Sequence, residues 1–115
     1  MKYMLLIYGN EANMPAPSKE THMSPAYVAY TEAMIKAGAF VDGNRLQPTA
    51  SATTVRVADG KTNVLNGPYA EAREQLGGYY VIEAADLDAA LSWAARCPSA
   101  SNGTIEVRPI WPMTA

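Results

Sequence analysis

Seven polar side chains hold most of the chemistry on offer: Tyr8, Arg56, Asn66, Glu71, Glu74, Glu106 and Arg108. Glu71 and Glu74 lie three apart, which puts both carboxylates on one face if the segment makes a helical turn, with Arg73 beside them. Left in solvent, they form a charge cluster of little energetic weight. Buried against a sheet, they need a cation, because an unpaired buried carboxylate is prohibitively costly, and Arg56 and Arg108 are the candidates. With Glu106, that constellation suits the binding of a small polar or anionic molecule. Asn66 opens the run Asn66-Gly67-Pro68-Tyr69. Its amide offers two donors and an acceptor to a ligand but is no general base at neutral pH. The same four residues also have a purely structural reading: asparagine and glycine admit left-handed backbone, proline fixes φ, and Tyr69 fills the core. His22 sits in a Pro- and Met-rich loop and reads as a surface residue. Its near-neutral pKa suits acid–base work only if that loop folds over the site.

Other chemistries have less to stand on. One histidine, one cysteine and scattered carboxylates give no metal-ligand spacing. No glycine-rich loop runs from a strand into a helix to cradle a phosphate, and Gly77-Gly78 runs into a strand instead. A net charge of −2 supplies no field for a nucleic acid backbone. Cys97 has no second thiol to pair with, which suits a reducing cytoplasm. The opening run, residues 1–8, is too short for a membrane span or a signal core and reads as a strand. Neither cofactor nor metal, nucleic acid nor membrane is expected.

The elements that position these residues follow from periodicity. At 115 residues, 49% hydrophobic and 17% charged, the chain is expected to form one domain over 1–115, apolar enough at its surface to favour an oligomer. Tyr3, Leu5 and Ile7 alternate with Met4, Leu6 and Tyr8, so both faces of the first strand are apolar and it belongs at the centre of a sheet. Ser24-Pro25 starts a helix of about thirteen residues with Tyr27, Tyr30 and Met34 inward and Gly38 as its stop. Residues 39–51 read as a connector with at most an edge-strand fragment, Asp42-Gly43-Asn44 being a turn. Asp59-Gly60 then closes a hairpin that sets Val55 opposite Val64 and Arg56 opposite Asn63.

A further strand is expected over 79–84. Asp86 caps a second helix that carries Leu87, Ala90, Leu91, Ala94 and Ala95 inward, with Trp93 facing either the core or an interface. Thr104 to Arg108 alternate, so Glu106 and Arg108 share the face opposite Ile105 and Val107. The order of strand, helix, hairpin, strand, helix and strand predicts an α+β, ferredoxin-like arrangement with two helices on one face of an antiparallel sheet and an inserted β-hairpin. Because the central strands are apolar on both faces, a second copy of the same sheet is the economical cover for the face without helices.

The chain also resembles the DGPF family within the YCII-related superfamily. The resemblance rests on residues 1–8, Thr54-Val55-Arg56-Val57, Gly67-Pro68-Tyr69-Ala70-Glu71 with Glu74 and Gly77-Gly78, and Glu106-Val107-Arg108-Pro109. It implies a dimeric α+β barrel with a pocket between helices and sheet, in a bacterial cytoplasmic protein of unassigned activity, often encoded beside an extracytoplasmic-function sigma factor. Asn66 stands where the motif has aspartate, Tyr69 where it has phenylalanine and Arg73 where it usually has lysine. The superfamily's His-Asp pair places its histidine early in the first helix, where the nearest residue is Tyr27, so both members of that pair are missing. The favoured expectation is a homodimeric binding or regulatory protein. The alternatives are a cofactor-independent enzyme acting on a small organic molecule, with Tyr8, His22 or Glu71 handling protons, and a partner module for the neighbouring sigma factor.

Overall fold

Strand β1 (Lys2–Gly9) lies at the centre of the main sheet in a computed structural model that describes residues 1–13, 24–69 and 72–113. It is followed by α1 (Pro25–Lys36), the edge strand β2 (Phe40–Arg45), the hairpin β3 (Thr53–Ala58) and β4 (Lys61–Asn66), then β5 (Gln75–Glu83), α2 (Leu87–Arg96) and β6 (Thr104–Pro109). The four-stranded sheet runs β2-β5-β1-β6 with every pair antiparallel, and β3-β4 form a separate two-stranded sheet. The chain is therefore mixed α+β with antiparallel sheets and two helices. The described residues form no closed barrel.

Alternation along β1 separates two environments. Tyr3, Leu5 and Ile7 are buried and join one core with Tyr30 and Met34 of α1, Tyr80 and Ile82 of β5, and Ala90 and Ala94 of α2. Both helices thus cover the same face. Met4, Leu6 and Tyr8 point the other way and remain half-buried, as do Tyr79 and Val81 beside them. Pairing extends this second face in rows: Asp42, Val81, Met4 and Arg108 in one, Asn44, Tyr79, Leu6 and Glu106 in the next. An apolar centre is thereby flanked by polar residues on both edge strands.

Local signals set the element ends. The Ser24 hydroxyl accepts from Tyr27 N, and α1 closes with Gly38 N donating to Ile35 O and Ala39 N to Met34 O, two bonds that satisfy terminal carbonyls. Asp86 accepts from Ala89 N at the start of α2. Asp59 and Gly60 both have positive φ, at 51° and 75°, the primed turn whose twist matches the strands it joins. The pairing Val55 with Val64 and Arg56 with Asn63 follows from that turn.

Four expectations need correction. Asp42-Gly43-Asn44 is strand and not turn, since β2 pairs with β5 after a register shift between Phe40 and Asp42. The strand β5 begins at Gln75, and Gly77-Gly78 lie within it, where Gly78 packs against the backbone of Asn44 and Arg45. That close approach is made by β2. Leu87, Leu91 and Ala95 are exposed, so α2 turns its small residues, Ala90 and Ala94, to the sheet together with half-buried Trp93. A ten-residue helix held close to the sheet has room for alanine at its contact positions, and the leucines lie on its flank. Tyr69 does not fill the core but is 78% exposed.

Candidate functional site

The helix-free face of the main sheet gathers three of the expected site residues. Tyr8 on β1 and Glu106 and Arg108 on β6 point from the same side, because Ile7, Ile105 and Val107 point to the core. The Tyr8 hydroxyl donates to Glu106 Oε1 across 3.2 Å. Tyr8 pairs directly with Thr104, whose hydroxyl donates to Glu74 Oε1 at 2.6 Å. Glu74 therefore joins the same end of the sheet through a threonine and not through an arginine. A charge-assisted bond to a hydroxyl meets part of the carboxylate's need without a cation.

The electrostatics at Tyr8 favour a neutral phenol. Desolvation raises its pKa above the ordinary value, the hydrogen bond to Glu106 and the charge of that carboxylate push it further up, and the Arg108 guanidinium pulls it down. Tyr8 is then a donor at physiological pH. A tyrosinate base at this position is disfavoured.

The remaining expected residues lie elsewhere. Arg56 on β3 and Asn66 on β4 belong to the separate hairpin sheet, both exposed, and the Arg56 guanidinium sits 5.9 Å from the centre of the Tyr69 ring. Glu71 and His22 lie outside the described residues. Among the described residues no group of three or more His, Cys, Asp or Glu side chains is placed to hold a metal ion.

A second polar cluster, on the helix side, was not expected from the sequence. The Tyr27 hydroxyl lies 2.5 Å from Ser99 Oγ and 3.4 Å from the sulfur of buried Cys97. One turn along α1, the Thr31 hydroxyl lies 2.7 Å from the Tyr80 hydroxyl and 2.8 Å from Tyr27 O. Burial raises the pKa of Tyr27, Tyr30 and Tyr80, so these phenols also stay protonated. Tyr27 was legible only as part of a core stripe, and nothing local marks Ser99 as its partner. Glu11 was missed as well. Its carboxylate accepts from Thr49 N at 2.8 Å and from the Thr49 hydroxyl at 2.9 Å, while its own amide donates to Gln75 Oε1 at 3.0 Å. It ties the segment after β1 to the approaches of β3 and β5.

A mixed α+β chain whose described helices leave one sheet face without a helix, with a phenol, a carboxylate and a guanidinium on it, is the class defined by these observations. The chain belongs to the YCII-related domain family, which it matches over residues 1–114. It is similar to an uncharacterized protein of Rhizobium meliloti (strain 1021), with 40% identity over 114 residues, 96% of this chain and 92% of that protein. No helix among the described residues is long and apolar enough to cross a membrane.

Proposed function

We propose that the chain is a cytoplasmic homodimeric binding protein that takes a small polar or anionic molecule at the Tyr8 end of its uncovered sheet face. The observation that carries this reading is the Tyr8 hydroxyl held on Glu106, with Arg108 on the same face of the same strand. On one face, Glu106 can accept from a hydroxyl or amine, Tyr8 keeps an acceptor lone pair beside it, and Arg108 is a permanent cation for an anionic group. The raised pKa of Tyr8 supports binding over proton abstraction. Met4, Leu6, Tyr79 and Val81 support the dimer reading, since they form an apolar centre that a second sheet would cover.

Omitting the hairpin, the strand order β2-β5-β1-β6 supports a ferredoxin-like reading, in which two such sheets face to face would build the dimeric α+β barrel. The DGPF assignment within the family rests on residues 1–8, Thr54-Val55-Arg56-Val57, the segment from Gly67 to Glu71 with Glu74 and Gly77-Gly78, and Glu106-Val107-Arg108-Pro109 taken together, and a regulatory role beside an extracytoplasmic-function sigma factor rests on that assignment. The test is a thermal-shift screen of small hydroxy acids, amino acids and inorganic anions against the wild type and Arg108→Ala. A ligand that raises the midpoint of the wild type and not of the variant supports the site. Shifts equal in both remove Arg108 from it.

A further inference from the structure

The hairpin β3-β4 stands apart from the rest of the fold. Every residue of it except Thr54 is exposed, and it shares no sheet with any other strand. Yet it is not a polar hairpin. Val55, Val57 and Val64 share one face and are 58%, 66% and 59% exposed, with Leu65 on the other at 60%. An isolated two-stranded hairpin is marginal in water and gains stability by packing an apolar face against something.

From these observations we infer that the hairpin is an arm whose valine face docks on a second copy of this chain, beside the uncovered sheet face through which the proposed dimer forms. The inference rests on that dimer and extends it. Area identifies the occupant. Four strands spaced about 4.8 Å apart and about 20 Å long present a face of roughly 400 Å², half of the roughly 800 Å² that each partner commits to a stable complex. An arm two strands wide and of similar length covers about 200 Å². Each protomer in a two-fold pair gives one arm and receives one, which brings the total to the size a stable interface requires.

The experiment measures self-association of the full chain by analytical ultracentrifugation, for the wild type and for Val55→Lys/Val57→Lys, with far-UV circular dichroism as the check on folding. Both valines are exposed, so the charges are tolerated in the isolated protomer and are costly only under a partner. The expected result is a wild-type dimer and an increase of about 100-fold or more in the variant's dissociation constant. A wild-type dimer with an unchanged constant in the variant overturns the arm and leaves the sheet-face dimer standing. A monomeric wild type overturns both. Hydrogen exchange of the wild type keeps the question open to test if the variant misfolds: hairpin amides must become better protected as concentration rises through the dissociation constant, and protection independent of concentration overturns the arm.

Discussion

Gly43 on the edge strand lies against the ring of Tyr80, so closely that a Cβ at Gly43 would come within 2.6 Å of Tyr80 Cδ1 and 2.9 Å of Cε1. The ring has no room to retreat. It meets Tyr30 edge-to-face at 5.5 Å and Phe40 at 6.2 Å, and its hydroxyl is fixed by Thr31 at 2.7 Å. Gly43→Ala is expected to cost about 1–3 kcal/mol as an overpacked contact. Equilibrium urea unfolding checks it, with a lower midpoint at unchanged slope as the expected result. An unchanged midpoint would mean that the ring moves freely.

Tyr8 titrates as a reporter of its neighbours. Glu106 raises its pKa and Arg108 lowers it, so Glu106→Gln should bring the value down towards the ordinary phenol and Arg108→Ala should push it further up. The chemical shift of the tyrosine Cζ, assigned by loss of its signal in Tyr8→Phe, follows each titration. Shifts of the same sign in both variants would show that the pair does not govern the phenol.

Alkaline pH should weaken the fold through the tyrosines on the helix side. Tyr27, Tyr30 and Tyr80 all have raised pKa values in the folded chain, chiefly from burial. Above the ordinary phenol value of about 10, the unfolded chain releases these protons while the folded chain keeps them, so stability falls as pH rises. Below that value their contribution is fully present. Urea midpoints measured between about pH 9 and pH 11 should therefore decline, and Tyr30→Phe should make the decline shallower.

Tyr27 and Ser99 form a couple across α1 and the turn after α2. Tyr27→Phe leaves the Ser99 hydroxyl without that partner and should cost about 1–3 kcal/mol. Ser99→Ala in the Tyr27→Phe background should then cost much less than in the wild type, a coupling that a double-mutant cycle reads directly. Additive losses would assign the stabilisation to packing alone.

Much of the architecture was legible because it is written in short-range pattern. The alternation of Tyr3 to Tyr8, the Ser24 and Asp86 caps and the Asp59-Gly60 turn each act over a few residues, and each appears where the spacing put it. Gly43 escaped because its meaning is tertiary. In Asp42-Gly43-Asn44 the residue types favour a turn, but the glycine is there for a ring that comes 37 positions later in the chain. Leu87 and Leu91 misled for a similar reason, since hydrophobicity ranks leucine above alanine for burial while the narrow gap beneath α2 selects by size.

The candidate site was legible in its strand residues and not in its loop residues. Alternation alone places Glu106 and Arg108 on one face, and the pairing of β1 with β6 brings Tyr8 to them. The partner of Glu74, a threonine hydroxyl 30 positions away, follows from register and carries no sequence signature. Arg56 and Asn66 were drawn into the same group by charge and amide chemistry. Their strands belong to the other sheet.

The sheet order also governs when the fold can form. β1 is hydrogen-bonded to β5 on one side and β6 on the other, strands that begin at Gln75 and Thr104. During synthesis the most apolar strand emerges well before either neighbour exists, and each of its pairings must close a long loop. The main sheet can therefore be completed only after β6 has been made.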